Sequence, residues 1–283
     1  MKGRTCMTVA FASWLQLAAS AIWQPAVGTT WNIQLLEPLS TASTNGLQAW
    51  DIDLFDNSAA TISGLQKNSS KVICYFSAGS YEPQRPDSGK FSKADRGKEL
   101  DGWPGEYWLD VKSQNVRNIM VDRIKLAKSK GCDAVDPDNV DGYSNDNGLG
   151  LTKADAVDFV KFLAEQAHAQ NMAIGLKNAG DIIPDVIDFV QFSVNEQCVE
   201  YQGCSTFEPF IQKGKPVFHI EYPKGDNTNN NKPVPAAKAN KICSDGASQK
   251  FSTLLKNMDL DAWMQTCANK GVRSTSGASK SGR

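Results

Sequence analysis

The sequence predicts a single-domain (β/α)8 barrel, or TIM barrel, with long loops between its strands and helices. Short β-rich runs alternate with amphipathic stretches of helical length through most of the 283 residues, which is the pattern of a parallel α/β fold. Eight candidate strands are present, and that number favours closure into a barrel. They span Trp31 to Leu35, Trp50 to Phe55, Lys71 to Ser77, Asp133 to Asp138, Met172 to Asn178, Phe189 to Asn195, Pro216 to Tyr222 and Asp261 to Thr266.

The two ends of the chain differ from the middle. Basic Lys2 and Arg4 precede a largely apolar run and the small residues Ala19-Ser20-Ala21, a pattern typical of a secretory signal peptide over residues 1–21. Residues 22–270 are expected to form the barrel, and residues 271–283 a small, polar, disordered tail. No later stretch is long and apolar enough to cross a bilayer. We therefore expect a secreted, extracellular protein.

The cysteines favour the same compartment. Of the seven cysteines, Cys6 falls in the predicted signal peptide, so six remain, and an even number in a secreted chain indicates disulfides. Only two histidines and no CxxC motif are present, so no zinc site is predicted. Cys198 and Cys204 flank a five-residue insert, and Cys243 and Cys267 bracket the last predicted helix and strand. The predicted pairs are Cys198–Cys204, Cys243–Cys267 and Cys74–Cys132.

The charge of the barrel is negative, although the formal net charge of the chain is only −1. Residues 1–21 and 270–283 hold six basic residues and no acids, which leaves 24 basic against 31 acidic residues between them. A nucleic-acid partner would require the opposite sign, whereas a cationic ligand would be attracted. No cofactor and no membrane contact are predicted, and a monomer is expected.

Two helices stand out between the strands, at Gln114 to Lys130 and at Lys153 to Gln170. In the second, Thr152 is the predicted N-cap, and Asp155 stands where a capping box places Glu or Gln. The segment from Ser80 to Trp108 has no strong period of its own. A loop of this length in a compact domain is usually functional.

The segment Gly131 to Tyr143 carries the clearest chemical signal. Strand alternation places Asp136 and Asp138 on one face at the end of a buried-looking strand. Crowded carboxylates resist ionising together, so one of them can keep its proton near neutral pH and act as an acid. A Ca²⁺ loop is the alternative, but it needs oxygen ligands at loop positions 1, 3 and 5, and counting from Asp136 position 5 is Val140, which has no side-chain oxygen.

Most predicted strands have one aliphatic face and one polar face. In a purely structural barrel the interior would be filled mainly by Val, Ile and Leu, and each unsatisfied buried polar group costs about 1–3 kcal/mol. We therefore assign the polar faces to the interior and to a site at the carboxyl ends of the strands. The groups expected to gather there include Asp53, Ser77, Asp138, Lys177, Asn195, Glu196, Glu221 and Trp263.

Two of these acids, Asp138 and Glu196, have the character needed to cleave a glycosidic bond. One acid protonates the departing oxygen, and the other attacks the anomeric carbon or activates water. Strict alternation turns Glu196 to the helix side, opposite Asn195, so this prediction requires the chain to bend after Asn195. Aromatic residues near the predicted strand ends would pack against sugar rings, although aromatic residues also commonly fill cores.

The chain resembles glycoside hydrolase family 114, the secreted fungal and bacterial endo-α-1,4-polygalactosaminidases. The resemblance runs in order from about Trp23 to Cys267. The matching motifs are Trp31-Asn32-Ile33-Gln34-Leu35, Asp51-Ile52-Asp53-Leu54-Phe55, Cys74-Tyr75-Phe76-Ser77-Ala78-Gly79, Asp136-Pro137-Asp138-Asn139-Val140-Asp141, Gly175-Leu176-Lys177-Asn178, Asn195-Glu196-Gln197-Cys198 and His219-Ile220-Glu221-Tyr222.

The resemblance implies a barrel that cuts internal α-1,4 bonds of a galactosamine-containing polysaccharide with two carboxylates. By motif, Asp138 would be the nucleophile of a retaining mechanism and Glu196 the acid/base. An acidic cleft suits a cationic or partly deacetylated chain of this sugar. The residues expected to bind substrate are Trp31, Gln34, Asp51, Asp53, Tyr75, Ser77, Asp136, Asn139, Lys177, Asn178, Asn195, Glu221, Tyr222 and Trp263.

Two other functions remain open from the sequence. One is a non-catalytic barrel whose acids only bind an amino sugar. The other is a metal-dependent hydrolase that uses Asp136, Asp138 and Asp141. The preferred acetylation state of a substrate and the number of its subsites do not follow from the sequence.

Overall fold

A nine-stranded sheet forms the centre of the computed structural model, which describes residues 21–39 and 46–267. In these residues the strands are β1 (Trp31–Gln34), β2 (Ala49–Asp53), β3 (Lys71–Ser77), β4 (Ser80–Tyr81), β5 (Arg96–Glu99), β6 (Tyr107–Leu109), β7 (Ala134–Asp138), β8 (Ala173–Lys177), β9 (Phe192–Glu196), β10 (Val217–Glu221), β11 (Ser252–Lys256) and β12 (Met264–Thr266). The order in the large sheet is β1-β2-β3-β7-β8-β9-β10-β11-β12.

Eight strands of this sheet run parallel, which confirms the predicted barrel class. The predicted eighth strand was wrong, however. The eighth parallel strand is β11, which pairs with β10, whereas the predicted run from Asp261 to Thr266 supplies only the short β12. β12 lies antiparallel to β11, with Leu254 opposite Thr266.

Helices connect the parallel strands on the outside. They are α1 (Ala59–Lys67), α2 (Gln114–Lys130), α3 (Lys153–Ala169), α4 (Ile183–Val186), α5 (Glu208–Gln212) and α6 (Ala236–Cys243). α2 and α3 lie where the sequence predicts them. The Thr152 side chain accepts a hydrogen bond from the Asp155 backbone, and the Asp155 carboxylate bonds back to Thr152, so the capping box is complete.

Two hydrophobic clusters show which way each strand faces. The larger one joins one face of the strands to the outer helices and includes Ile52, Phe76 and Phe159. The second contains residues from all eight parallel strands and, within the described part of the chain, none from α1 to α6, as expected for a barrel interior. Its members include Trp31, Ala49, Ile73, Ala134, Ala173, Phe192, Val194, Phe218, Ile220 and Leu254.

Alternation from this interior cluster confirms some predicted faces and corrects others. Asp51, Asp53, Tyr75, Ser77, Asp136, Asp138 and Lys177 share the interior face of their strands, as predicted. The assignment was wrong for β1, β9 and β10, where bulky Trp31, Phe192 and Phe218 fill the interior. In β9, therefore, Glu196 faces inward by plain alternation with Val194, and the bend expected after Asn195 is unnecessary.

The long excursion after β3 forms a separate small sheet, with strand order β4-β6-β5. It is fixed to the barrel at Gly79, whose amide donates to the backbone oxygen of Asp138 at 3.0 Å. A side chain at Gly79 would place its Cβ 1.7 Å from the Asn139 backbone oxygen. Glycine at this position lets the excursion lie directly beside the loop that follows β7.

All three predicted disulfides are confirmed, at Cys74–Cys132, Cys198–Cys204 and Cys243–Cys267. Residues 1–20 of the predicted signal peptide and the whole predicted tail, 271–283, lie outside the described residues. Within the described ranges, no helix combines the length and apolar character that a bilayer crossing requires.

Candidate active site

Three charged side chains meet where β7, β8 and β9 end. Asp138, Lys177 and Glu196 are the last residues of these consecutive neighbouring strands. Nζ of Lys177 lies 3.0 Å from Oδ2 of Asp138 and 3.2 Å from Oε2 of Glu196, so the two oxygens are no farther apart than the sum of these distances, about 6.2 Å. The side chain of Lys177 is 3% exposed, whereas those of Asp138 and Glu196 are 17% and 23% exposed. The two acids therefore face a partly open mouth, with the cation behind them.

Each of these residues is followed by a residue in the left-handed backbone region. The φ angles are +59° at Asn139, +47° at Asn178 and +58° at Gln197. Asparagine tolerates this region better than most side chains, and Asn178 also uses its side chain at the site. Its Nδ2 donates to Oε2 of Glu196 at 3.0 Å, and its Oδ1 accepts from the Glu196 backbone at 2.9 Å.

Two tyrosines donate hydrogen bonds to the acids from opposite sides. The Tyr75 hydroxyl donates to Oδ2 of Asp138 at 2.8 Å, and the Tyr222 hydroxyl donates to Oε1 of Glu196. Burial raises the pKa of both phenols well above the usual value, and the Asp138 and Glu196 charges raise it further. Both tyrosines therefore stay protonated and remain hydrogen-bond donors.

The contacts around Glu196 favour its ionised form. Burial raises the pKa of Glu196, but the Lys177 charge and the hydrogen bonds from Tyr222, Asn178 and Lys177 outweigh burial, and the net pKa lies below the usual value. Burial lowers the pKa of Lys177, yet the charges of Asp138, Glu196 and Asp136 raise it well above normal. Lys177 is therefore a permanent cation of the site.

A second pair of carboxyl groups lies deeper in the barrel, at Asp51 and Asp136. Both residues are fully buried, and none of their four carboxyl oxygens has a hydrogen-bond donor among the described residues. Burial and the Asp136 charge raise the pKa of Asp51 well above its usual value, and burial raises the pKa of Asp136 to about 7. Besides burial, the charge of Asp136 raises the pKa of Asp51, and two buried carboxyl groups that act on each other in this way can share one proton.

This pair adds a partner that the sequence did not indicate, while the raised pKa of Asp136, to which burial and the Asp138 charge contribute, agrees with the expectation that one of two crowded acids retains a proton. The crowded acids predicted to retain a proton were Asp136 and Asp138, on one strand face. Asp138 instead contacts Lys177 and Tyr75. The partner of Asp136 is Asp51, from a strand distant in sequence, which alternation within one strand could not identify.

Hydroxyl and amide groups connect Asp138 to the excursion. The Asn139 backbone amide donates to Oδ1 of Asp138 at 2.7 Å, and Nδ2 of Asn139 donates to Oγ of Ser77 at 2.9 Å. Oγ of Ser77 lies 2.6 Å from Oγ of Ser80, which donates to Oε2 of Glu106 at 3.3 Å. Burial and the Glu82 charge raise the pKa of Glu106 to about 7.

Three charged residues in or beside this series of hydrogen bonds were not predicted as site residues from the sequence: Glu82, Arg85 and Glu106. Arg85 pairs with Oδ2 of Asp53 and with Oε1 of Glu82, both at 2.7 Å. All three lie in the long excursion, whose length indicated function. No periodicity or motif within it distinguished these residues from its other charges.

The remaining predicted residues make their contacts with other parts of the protein and not with the carboxyl groups of Asp138 and Glu196. Trp31 packs against Phe218 in the barrel interior, Gln34 donates to the Glu37 backbone, and Asn195 contacts Asn178 at 3.5 Å. Glu221 accepts from the Val199 backbone at 2.7 Å and from His219, on the outer face of β10. Trp263 packs outside the barrel with Leu255 and α6, with Nζ of Lys224 3.1 Å from its ring centre.

The described residues bring one trio of potential metal ligands within 4.8 Å of one another, namely Cys198, Cys204 and His219. Both cysteines form a disulfide, so they offer no thiolate. Asp136, Asp138 and Asp141 do not converge in this way. The acid cluster of the metal-dependent alternative is therefore dispersed.

The arrangement suits acid–base and nucleophilic chemistry at a bond lying across the strand ends. Two carboxylates face one cleft, a fixed cation lies between them, and two phenols hold their orientation. These are the groups that glycosidic cleavage uses.

Comparison with known proteins agrees with this chemistry. A family model for glycoside hydrolase family GH114 matches residues 12–272. The chain is similar to Aspergillus fumigatus Ega3, whose crystal structure is known in complex with galactosamine. The two sequences are 59% identical, the TM-score between the structures is 0.85, and the match covers 89% of this chain and 100% of that one.

More distant relatives share less. The glycoside hydrolase domain of PelA from Pseudomonas aeruginosa is 11% identical over 84% of this chain and 98% of that one, and its TM-score of 0.67 shows a common fold alone. An uncharacterised protein of Deinococcus radiodurans is 26% identical over 224 residues, which are 68% of this chain and 71% of that protein. Since the family model spans nearly the whole barrel, the chain belongs to glycoside hydrolase family GH114 and is a glycoside hydrolase.

Proposed function

We propose that this protein is a secreted, endo-acting hydrolase of α-1,4-linked galactosamine polysaccharide, with Asp138 as nucleophile and Glu196 as acid/base. The observation that carries the proposal is the shared contact of both carboxylates with Lys177. The bound of about 6.2 Å applies to the two oxygens that contact Lys177, so both acids can reach one linkage, and the proposal of a retaining mechanism rests on Asp138 attacking the anomeric carbon directly.

The galactosamine part of the proposal is supported by the similarity to Ega3, whose crystal structure contains this sugar. The acidic balance of the barrel supports a cationic chain. Three disulfides support secretion, since disulfides persist in oxidising compartments.

The roles follow from the hydrogen bonds. Asp138 accepts from Tyr75 and Lys177, contacts that orient its oxygens for attack on the anomeric carbon. Attack forms a glycosyl ester on Asp138 and breaks the bond to the departing oxygen, which takes a proton from Glu196. Water, deprotonated by Glu196, then cleaves the ester.

The lowered pKa of Glu196 places a condition on this mechanism. Glu196 must carry a proton when the linkage breaks, whereas its contacts with Lys177 and Tyr222 favour the ionised form. In the proposed mechanism Glu196 takes up a proton before the departing oxygen needs it, and the pH profile of kcat/KM reports the pKa at which this occurs.

The test is incubation of the purified protein with deacetylated α-1,4-polygalactosamine. An endo-acting enzyme shortens the chains quickly and yields mixed oligomers, and NMR of the first products shows the α configuration if the mechanism retains it. Asp138→Asn and Glu196→Gln should abolish turnover with unchanged thermal unfolding. Asp146→Asn, at an exposed site, and Glu165→Gln, on α3, are the matched controls.

A non-catalytic carbohydrate-binding barrel would leave the chain length unchanged. Turnover that survives Asp138→Asn or Glu196→Gln would remove that residue from the mechanism. Loss of activity in EDTA would instead favour the metal-dependent alternative.

A further inference from the structure

The excursion after β3 brings two glutamates to the edge of the catalytic cleft. Glu106 is half-buried, and Glu82 is 5% exposed. The Glu82 charge acts directly on Glu106, as does the charge of Asp138. Like charges at this range repel each other unless a proton or another cation lies between them.

The available cation does not neutralise this cluster. Against the effect of burial, the charge of Arg85 lowers the pKa of Glu106, but Arg85 already contacts Asp53 and Oε1 of Glu82 at 2.7 Å each. The second oxygen of Glu82, Oε2, is buried and has no hydrogen-bond donor among the described residues. A buried carboxylate oxygen without a donor is costly, so the cluster retains unused capacity for a positively charged donor.

The cluster is also close to the reacting centre. Ser80, which donates to Glu106, contacts Ser77 at 2.6 Å, and Nδ2 of Asn139 donates to both hydroxyls, at 2.9 Å to Ser77 and 3.3 Å to Ser80. The backbone of Asn139 contacts Asp138. This series of hydrogen bonds links Glu106 to Asp138, so we expect Glu106 to face a sugar unit next to the one that Asp138 would attack.

We propose that Glu106, supported by the buried carboxylate of Glu82, binds the ammonium group of a sugar adjacent to the cleaved linkage and so selects deacetylated galactosamine there. This inference rests on the proposed function. An ammonium group supplies three hydrogen-bond donors and one positive charge. These match the half-buried carboxylate of Glu106 and the neighbouring Glu82, one oxygen of which lacks a donor among the described residues. An N-acetyl group has a single N–H donor and no charge, so it cannot replace the proton that two neighbouring carboxylates require.

Because the pKa of Glu106 is raised, binding of a cationic ligand at this site should be coupled to the release of a proton. At pH 6.5 a carboxyl with a pKa of about 7 is mostly protonated, and an incoming ammonium group favours its ionised form. Glu82, Arg85, Ser80 and Asp138 are the groups that act on it. Binding of a cationic sugar is therefore expected to release a proton from Glu106.

The first experiment compares wild type, Glu106→Gln and the control Glu165→Gln on α-1,4-polygalactosamine of graded acetylation. Glu106→Gln should lower kcat/KM on the fully deacetylated polymer by about 10- to 100-fold, the scale of one charge-assisted contact. Mass spectrometry of wild-type products should show a free amine at one fixed position beside each cut, and Glu106→Gln should lose that preference. Glu106→Asp, which keeps the charge, should retain part of it.

The second experiment measures polymer binding to the Asp138→Asn protein by calorimetry at pH 6.5, in buffers of different ionisation enthalpy. Adding Glu106→Gln should reduce the number of protons released on binding, whereas adding Glu165→Gln should not. EDTA should leave both results unchanged.

The inference would be overturned, and the proposed hydrolase left intact, if Glu106→Gln, Glu165→Gln and wild type all discriminated equally between acetylated and deacetylated polymer. A preference that disappears in EDTA would also overturn it, because a metal ion would then occupy the cluster. If wild type does not cleave the polymer at all, the proposed function itself fails.

Discussion

Lys177 holds its ammonium nitrogen 3.0 Å from the carboxylate of Asp138, at a position that is 3% exposed. The same nitrogen contacts Glu196. Lys177 is thus the electrostatic link between two acids that would otherwise repel each other across the cleft.

Lys177→Met should reduce kcat/KM by about 100-fold or more, the scale for removing one preorganised electrostatic group. The pKa of Glu196 should rise, because the Lys177 charge lowers it. The pH profile of kcat/KM together with thermal unfolding would separate this effect from loss of fold. Lys213→Met, at a half-exposed surface site, is the control, and near-normal activity of Lys177→Met would contradict the assignment.

Tyr222→Phe should move the alkaline limb of the kcat/KM profile to higher pH. The Tyr222 hydroxyl donates to Glu196 and helps to lower its pKa, so removing the donor raises that pKa. Because the alkaline limb reports the essential acid of the free enzyme, the limb should follow. Tyr75→Phe, which removes a contact to Asp138 instead, should leave this limb in place. An unshifted limb in Tyr222→Phe would argue against Glu196 as the acid.

Asp136→Asn should flatten the dependence of stability on pH between about 4 and 7. The folded pKa of Asp136 is raised from 3.8 to about 7, so the folded state binds more protons than the unfolded state in this window. The wild-type free energy of unfolding should therefore fall as pH rises, by up to about 1.4 kcal/mol per pH unit for one proton. In the Asp136→Asn variant, the new side-chain amide can donate to Asp51 without a titrating proton.

Urea unfolding of wild type and Asp136→Asn at pH 4.5, 5.5 and 6.5 would measure this difference, with Asp185→Asn, an exposed site, as the control. Parallel slopes for wild type and Asp136→Asn would show that Asp51 and Asp136 do not share a proton.

The three disulfides are expected to differ in what they contribute. Cys74–Cys132 closes a separation of 58 residues, and Cys198–Cys204 closes one of 6. Loop-closure entropy predicts a loss of about 4 kcal/mol on replacing the first pair with alanine and about 2 kcal/mol for the second. Activity should show the opposite order, because Cys198 lies two residues after Glu196. Denaturant unfolding and kcat/KM of the two double variants would check both orders.

The sequence predicted most of the fold because its signals were local. The capping box at Thr152 and Asp155 marked the start of α3, and alternation identified β7 with its acids. β11 was missed because Ser252–Lys256 is a short run between loops, whereas the neighbouring run that ends at Thr266 has more aromatic character. The sheet of the excursion was missed because its strands are short and β5 pairs irregularly with β6.

The site was harder to predict than the strands, because alternation defines two faces without saying which one is interior. In β9 and β10 the bulky Phe192 and Phe218 fill the barrel, while polar His219 and Glu221 are satisfied outside it by Thr253 and the Val199 backbone. Pairing between distant segments, as in Asp51 with Asp136, leaves no local pattern. Glu106 lacked any signal apart from the length of its loop.

The left-handed backbone at positions 139, 178 and 197 sets a limit on engineering this enzyme for heat resistance. Glycine at any of the three would relieve an unfavourable conformation, and a screen for thermal tolerance would favour that replacement. At 139 and 178 it would also delete amides that orient Ser77 and Glu196. Selection for thermal stability and selection for turnover would then favour different residues at positions 139 and 178.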